Sequence, residues 1–106
     1  MNTEQRIAKR LPSSRPVVFL HHHQNSYATM TDFSEHGIGF VADIDLPEDE
    51  LIEVHFDVVS PQEIQSFQFK AEVKHCTKFN NQCHIGVQFD FTSQAYSSLY
   101  NQLACA

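Results

Sequence analysis

Two short polar motifs carry the residue types best suited to binding a charged small molecule. Arg6 and Arg10 form an R-x-x-x-R motif, and Asp32, Ser34 and Gly37 form a D-x-S-x-x-G motif. A guanidinium can pair with a phosphate, contact the O6 and N7 acceptors of guanine bidentately, and stack on a purine face. A carboxylate can accept hydrogen bonds from the guanine N1 and N2 donors, an edge that adenine lacks. Together the two motifs predict a site for a guanine nucleotide.

The remaining groups of the second motif fit the same chemistry. The Ser34 hydroxyl can donate to a phosphate or ribose oxygen, and Gly37, which has no Cβ, would let the backbone approach a ligand. Each motif alone has an ordinary structural explanation. Arginines in a polar segment are commonly solvated, and Asp-x-Ser at a strand end commonly bonds its own backbone. The ligand prediction therefore depends on the two motifs occurring together.

Size and composition indicate one globular domain. The chain has 106 residues, 42% of them hydrophobic, and nine are phenylalanines, which is enough for a single core. Its longest apolar run, Pro16–Leu20, is far shorter than the ~20 residues of a membrane span. Three cysteines, an odd number, argue against a disulfide framework, and no secretory signal is recognisable. We therefore expect a cytoplasmic protein that does not insert into a membrane.

The charge is distributed unevenly along the chain. Residues 1–15 carry four basic residues and one acid, whereas the remaining residues carry three basic residues and twelve acids. Affinity for DNA or RNA comes mainly from neutralising many phosphates, so a domain this acidic is not expected to bind either. A small dianionic ligand needs only a few cations, and these are concentrated around the R-x-x-x-R motif.

Strand-like alternation of apolar and polar residues accounts for most of the chain. The predicted strands are Pro16–His22, Asn25–Phe33, Gly37–Val41, Leu51–Val59, Ile64–Lys78 and Cys83–Phe91, with a hairpin turn at Asn80-Asn81. Six strands with short connections favour a small antiparallel barrel or sandwich. Thr92 or Ser93 is predicted to cap a helix over about 93–104, whose apolar stripe should pack on the barrel.

This arrangement resembles the PilZ domain family. A PilZ domain is a six-stranded antiparallel β-barrel with a C-terminal α-helix. Its R-x-x-x-R motif lies on an arm before the first strand, and its D-x-S-x-x-G motif lies between the second and third strands. The run Gly86-Val87-Gln88-Phe89 also resembles the G-V-x-F of the family's last strand. The resemblance implies a mainly β fold, with a flexible arm over residues 1–14 and a PilZ barrel over residues 15–106.

The same resemblance implies a receptor for cyclic di-GMP. Its contacts with the nucleotide would be Arg6, Arg10, Asp32, Ser34 and Gly37. Binding would order the arm and create a surface for a separate effector protein in motility, pilus, adhesion or exopolysaccharide control. The alternative is a PilZ-fold adaptor that binds a protein without nucleotide, through its acidic loop or its helix.

Two residues outside the motifs are secondary candidates for contact with the nucleotide. Gln5 occupies the position before the first arginine, which the family links to the number of nucleotides bound. His75 falls on the predicted face of Val73, near the mouth of the barrel. Neither residue is predicted to bind a metal or a cofactor.

Two clusters of metal-ligand residue types are predicted not to form metal sites. Adjacent side chains on a strand point to opposite faces, so only His21 and His23 of the three consecutive histidines could share an ion, and solvated histidines are the expected account. Placing Val73 beside Val87 should send Cys76 and Cys83 to opposite faces of their hairpin, which argues against both zinc and a disulfide.

No catalytic pattern is recognisable either. The chain lacks a phosphate-cradling G-x-x-x-x-G-K, an HExxH motif and a Ser–His–Asp arrangement. The acidic run Asp43–Glu50 is typical of a solvated loop. We therefore expect a protein that is not an enzyme and needs no cofactor.

Overall fold

In the computed structural model, which describes residues 9–105, the chain forms seven β-strands and one α-helix. The predicted arm over residues 1–14 lies partly outside the described residues, and its later part contributes the first strand. The elements are β1 (Leu11–Pro12), β2 (Pro16–His21), β3 (Gln24–Phe33), β4 (Gly37–Ala42), β5 (Leu51–Val59), β6 (Ile64–Phe79), β7 (Gln82–Phe89) and α1 (Gln94–Ala104).

Six of these strands close into a barrel. The antiparallel order is β3-β2-β5-β6-β7-β4, and β4 pairs back to β3, while the short β1 pairs with the end of β3. Strand β5 shows why the sequence specifies this shape. Its residues Ile52, Val54, Phe56 and Val58 are buried, and the intervening side chains face outwards. The predicted six-stranded antiparallel barrel with a C-terminal helix is confirmed.

Helix α1 packs against the barrel through one apolar face. The Ser93 hydroxyl accepts a hydrogen bond from the Tyr96 N–H at 3.1 Å, which begins the helix as predicted. Tyr96 is fully buried. Its ring centroid lies 5.1 to 5.8 Å from the centroids of four phenylalanine rings, those of Phe56, Phe67, Phe69 and Phe89. Within residues 9–105 there is no helix with the length and apolarity needed to cross a bilayer.

A β-bulge in β6 changes which side chains face the core. Val73 pairs with Val87, but His75 pairs with Gly86, so one extra residue, Lys74, is inserted between them. Beyond the bulge, Cys76 lies opposite the buried Ile85 and packs against the core, whereas His75 is exposed. The prediction that His75 shares the Val73 face is therefore wrong.

The same bulge overturns the prediction for the two cysteines. Cys83 is buried, and Cys76, shifted by one position, now lies on the same side of the hairpin. Their sulfur atoms and an Asp45 carboxylate oxygen lie within 4.8 Å of one another. A shift of one residue reverses every side chain of a strand, so the predicted opposite faces do not occur.

Lowering the pH below about 5 is expected to reduce the free energy of unfolding. The Asp57 carboxylate accepts a hydrogen bond from Ser66 Oγ at 2.7 Å and pairs with Arg15 Nη2 at 3.1 Å, and these contacts lower its pKa from 3.8. Because the pKa is depressed by folding, the stabilisation is complete above the unfolded pKa and is lost as the pH falls through the folded pKa.

Urea unfolding midpoints, measured from neutral pH to about pH 2, test this expectation. The Asp57→Asn variant should show a shallower loss of stability with acid than the wild type. An identical pH dependence in the two proteins would contradict it.

Candidate functional site

Arg10, the described arginine of the first motif, meets the second motif where β1 pairs with β3. Arg10 immediately precedes β1, and Leu11 and Pro12 pair with Phe33 and Asp32. The guanidinium Nε donates to Asp32 Oδ1 at 2.8 Å, and Nη2 lies 2.6 Å from the same oxygen. Residues separated by more than twenty positions in sequence are therefore joined by an ion pair.

Ser34 completes this cluster at the turn between β3 and β4. Its hydroxyl lies 3.4 Å from Arg10 Nη1, from which it accepts a hydrogen bond, and the Ser34 N–H donates to the Gly37 carbonyl at 2.8 Å. Ser34 is buried, which is unusual for a polar side chain. Three of the predicted contact residues thus converge on one point, whereas Gln5 and Arg6 lie outside the described residues.

A glycine is needed at position 37 for a reason other than the predicted approach of the backbone to a ligand. A Cβ at this position would lie 2.1 Å from the Val87 carbonyl oxygen, so the close approach is to strand β7. None of the three glycines, all within the described residues, has a positive φ. Gly37 is required because the backbones of β4 and β7 are close together there.

All three glycines of the chain line one cavity of about 500 Å³ on the outside of the barrel. Gly39 and Gly86 are paired across β4 and β7, and Gly37 lies two residues before Gly39. Without side chains at these positions the two strands form a recessed floor. A cavity of this size falls within the range of small-molecule sites.

The two sides of this floor carry different polar groups. Arg10 and Asp32 lie on the β3 side, and Lys74 and His75 lie on the β6 side. The strand order β3-β4-β7-β6 separates them by three strand spacings, about 14 Å. The cavity therefore has a cation at each side and an apolar floor between them.

Two imidazoles extend the polar lining on the β6 and β7 side. The His75 ring lies directly over Gly86, where a Cβ would come within 2.1 Å of His75 Cε1. The His84 Nε2 atom lies 3.3 Å from Thr31 Oγ1, and that hydroxyl donates to Asp32 Oδ2 at 3.3 Å. His75 therefore lines the same cavity as Arg10 and Asp32, and it does so from the outer face of the barrel.

Sequence reasoning missed Gly39, Gly86, Lys74 and His84 as lining residues. Gly39 and Gly86 were missed because the pairing of β4 with β7, which places them opposite each other, was not predicted. Lys74 follows the buried Val73, so alternation alone places it on the outer face, and the bulge brings His75 to that face beside it.

Helix α1 holds the backbone at Ser34 and next to Arg10 through two tyrosine hydroxyls. The Tyr96 hydroxyl donates to the Ser34 carbonyl at 2.5 Å, and the Tyr100 hydroxyl donates to the Lys9 carbonyl, next to Arg10. Burial raises the pKa of both tyrosine hydroxyls, so both remain protonated donors at neutral pH. The helix thus determines where Ser34 and Arg10 lie relative to the cavity.

The sequence profile of the PilZ domain matches residues 4–104, so the chain belongs to the PilZ domain family. This confirms the family resemblance carried by the two motifs. No curated protein matches the chain by sequence.

Three solved structures show the same fold. The Bacillus subtilis inhibitor of motility MotI/DgrA is 10% identical with a TM-score of 0.83, over 94% of this chain and 49% of that one. The PilZ domain with c-di-GMP of YcgR from Escherichia coli is 13% identical with a TM-score of 0.67, over 93% of this chain and 88% of that one. Borreliella burgdorferi PlzA in complex with c-di-GMP is 14% identical with a TM-score of 0.63, over 92% and 40%. The chain thus spans about half the length of MotI/DgrA.

Proposed function

We propose that this protein is a receptor for cyclic di-GMP. The observation that carries the proposal is the convergence of Arg10, Asp32 and Ser34, drawn from two distant motifs, at one side of a glycine-floored cavity. Family membership and the two neighbours with c-di-GMP in their structures support it.

Each group has a role that follows from its chemistry. The Arg10 side chain is 48% exposed, so its guanidinium can pair with a phosphate or with the guanine O6 and N7 atoms while Asp32 holds it in place. Asp32 supplies acceptors for the guanine N1 and N2 donors, and Ser34 supplies a hydroxyl. Arg6 and Gln5, which lie outside the described residues, would add contacts from the arm.

The glycine floor suits a flat, charged ligand. Bases can lie against backbone where no Cβ intervenes, and Lys74 and His75 are placed to meet the far part of a ligand that extends from Arg10 across β4 and β7. A ligand with two purines and two phosphates offers charge to both sides of the cavity.

The signal would be transmitted through the arm. Contacts of Arg6 with the bound nucleotide would bring the part of the arm that precedes Lys9 over the cavity and create a new surface, and an effector protein would recognise that surface. We also infer a reducing, cytoplasmic location, supported by the three free cysteines of the described residues.

A residue-resolved titration tests the site and the arm together. Adding cyclic di-GMP to the ¹⁵N-labelled chain should shift the amide signals of Gly37, Gly39 and Gly86 and of residues 1–14, and should protect the arm from protease. Cyclic di-AMP should leave these signals unchanged. If cyclic di-GMP leaves them unchanged as well, the nucleotide-independent adaptor becomes the better account.

Replacing Tyr100 by phenylalanine is expected to weaken cyclic di-GMP binding about fivefold without touching the ligand. The variant loses the hydrogen bond to the Lys9 carbonyl, worth about 1 kcal/mol, and so loosens the position of Arg10. Titration calorimetry measures the change, with Tyr27→Phe, an exposed tyrosine, as the matched control. Equal affinities in the two variants would contradict this role for Tyr100.

A further inference from the structure

The turn between β2 and β3 brings two histidines to one carboxylate. His21 Nε2 lies 2.8 Å from Glu50 Oε2, and His22 Nε2 lies 2.9 Å from the same oxygen. The two ring centroids are 4.1 Å apart. Two imidazole nitrogens and one carboxylate oxygen therefore converge within 4.8 Å, outside the nucleotide cavity.

This convergence was not expected from the sequence, because adjacent side chains of a strand point to opposite faces. The strand ends at His21, and His22 and His23 have φ values of 53° and 65° in a two-residue hairpin turn. The left-handed backbone at His22 swings its imidazole round to the side of His21. The prediction that these two histidines cannot share a ligand sphere is therefore wrong.

The residues in this turn are not those that turn geometry alone would favour. Two consecutive positive φ angles favour asparagine and glycine, and the other two-residue hairpin of the described chain uses Asn80-Asn81 with φ values of 51° and 65°. His22 adopts this conformation with its imidazole on the Glu50 carboxylate, and left-handed backbone at a residue other than glycine is concentrated at binding sites.

We propose that His21, His22 and Glu50 form a binding site for a divalent transition-metal ion such as Zn²⁺ or Ni²⁺. Imidazole nitrogens and a carboxylate oxygen are preferred ligands of both ions. Each neutral imidazole would carry its proton on Nδ1 and offer the Nε2 lone pair to the ion. Three protein ligands leave at least one coordination position for water or for a donor from another molecule.

The cluster is open to an ion from solvent. Its three ligand atoms already face one another, with Glu50 Oε2 within 2.9 Å of the Nε2 atoms of both His21 and His22. The side chains of His21 and Glu50 are 21% and 28% exposed, so an ion can reach them from solvent. The site is independent of the proposed nucleotide function, since none of its residues lines that cavity.

The second convergent cluster, Asp45 with Cys76 and Cys83, is less suited to a metal. The Cys83 thiol donates a hydrogen bond to Asp45, and this bond together with burial raises the pKa of the thiol to about 12. A thiol must lose its proton to bind a metal ion. The Lys78 ammonium also lies 3.4 Å from Asp45 and competes for that carboxylate. This cluster provides an internal comparison for the experiment.

Titration calorimetry with ZnCl₂ and NiCl₂, on the full chain without an affinity tag, tests the proposal. We expect one ion per chain, with affinity reduced at least about 10-fold in Glu50→Gln and in His22→Asn. Asparagine tolerates the left-handed conformation, so His22→Asn removes the ligand while keeping the turn. His55→Gln is the matched control, because His55 Nε2 contacts Glu53 at 3.2 Å without a second histidine.

A second measurement does not depend on variants. Paramagnetic Ni²⁺ should broaden the imidazole signals of His21 and His22 before those of other histidines. Absence of one-to-one binding would overturn the proposal. The proposal would also be overturned if the metal ion bound Glu50→Gln with wild-type affinity, or if binding were lost in Cys83→Ser instead.

Discussion

Replacing Arg10 by alanine is expected to weaken cyclic di-GMP binding by about 100-fold. The guanidinium is held by Asp32 beside Ser34, facing the cavity, where it can form charge-assisted contacts with the nucleotide. Loss of such contacts corresponds to about 2.7 kcal/mol of binding free energy. Arg10→Lys should recover only part of the affinity, because lysine keeps the charge but not the bidentate geometry.

The chain offers a matched control for this variant. Arg15 also pairs with an aspartate, Asp57, at 3.1 Å, but on β5 and away from the cavity. Arg15→Ala should therefore bind cyclic di-GMP with wild-type affinity in the same calorimetric titration. Wild-type affinity in Arg10→Ala, or an equal loss of affinity in Arg15→Ala, would show that Arg10 does not bind the nucleotide.

Replacing Tyr96 by alanine is expected to lower the free energy of unfolding by about 3–5 kcal/mol. The ring is fully buried among four phenylalanines, and its removal leaves a cavity between α1 and the barrel. A small domain has only about 5–15 kcal/mol of stability, so this loss brings the protein close to unfolding.

A conservative variant separates the ring from its hydroxyl. Tyr96→Phe keeps the packing but leaves the buried Ser34 carbonyl without its donor, at a cost of about 1–3 kcal/mol. Tyr27→Ala is the control, since that side chain is 76% exposed and its loss should change stability by no more than about 0.5 kcal/mol. Urea unfolding of the three variants gives the comparison. Equal losses in Tyr96→Ala and Tyr27→Ala would contradict the packing role of Tyr96.

The barrel could be predicted from sequence because its pattern is local and strong. Strand β5 alternates buried and exposed residues without a break, and Ser93 marks the start of α1 with a cap that the structure confirms. The approach of Arg10 to Asp32 could also be anticipated, because the family resemblance supplied a pairing that no local pattern encodes.

The failures arise where the backbone departs from regular strand geometry. Lys74 is an extra residue in β6, and a single insertion reverses the faces of His75 and Cys76. The left-handed conformation at His22 likewise brings the His22 side chain to the same side as His21, although regular strand geometry predicts opposite sides. Neither departure is marked by a glycine or a proline, so the sequence carries no local signal for it.

Titration of cyclic di-GMP into the wild-type chain at fixed moderate salt tests the central claim most directly. We expect saturable binding with a dissociation constant on the order of 1 μM or tighter. Cyclic di-AMP at the same concentrations should give no heat. Adenine lacks the guanine N1 and N2 donors from which Asp32 would accept hydrogen bonds. Absence of heat with cyclic di-GMP, together with unchanged amide signals at high ligand concentration, would contradict the receptor function.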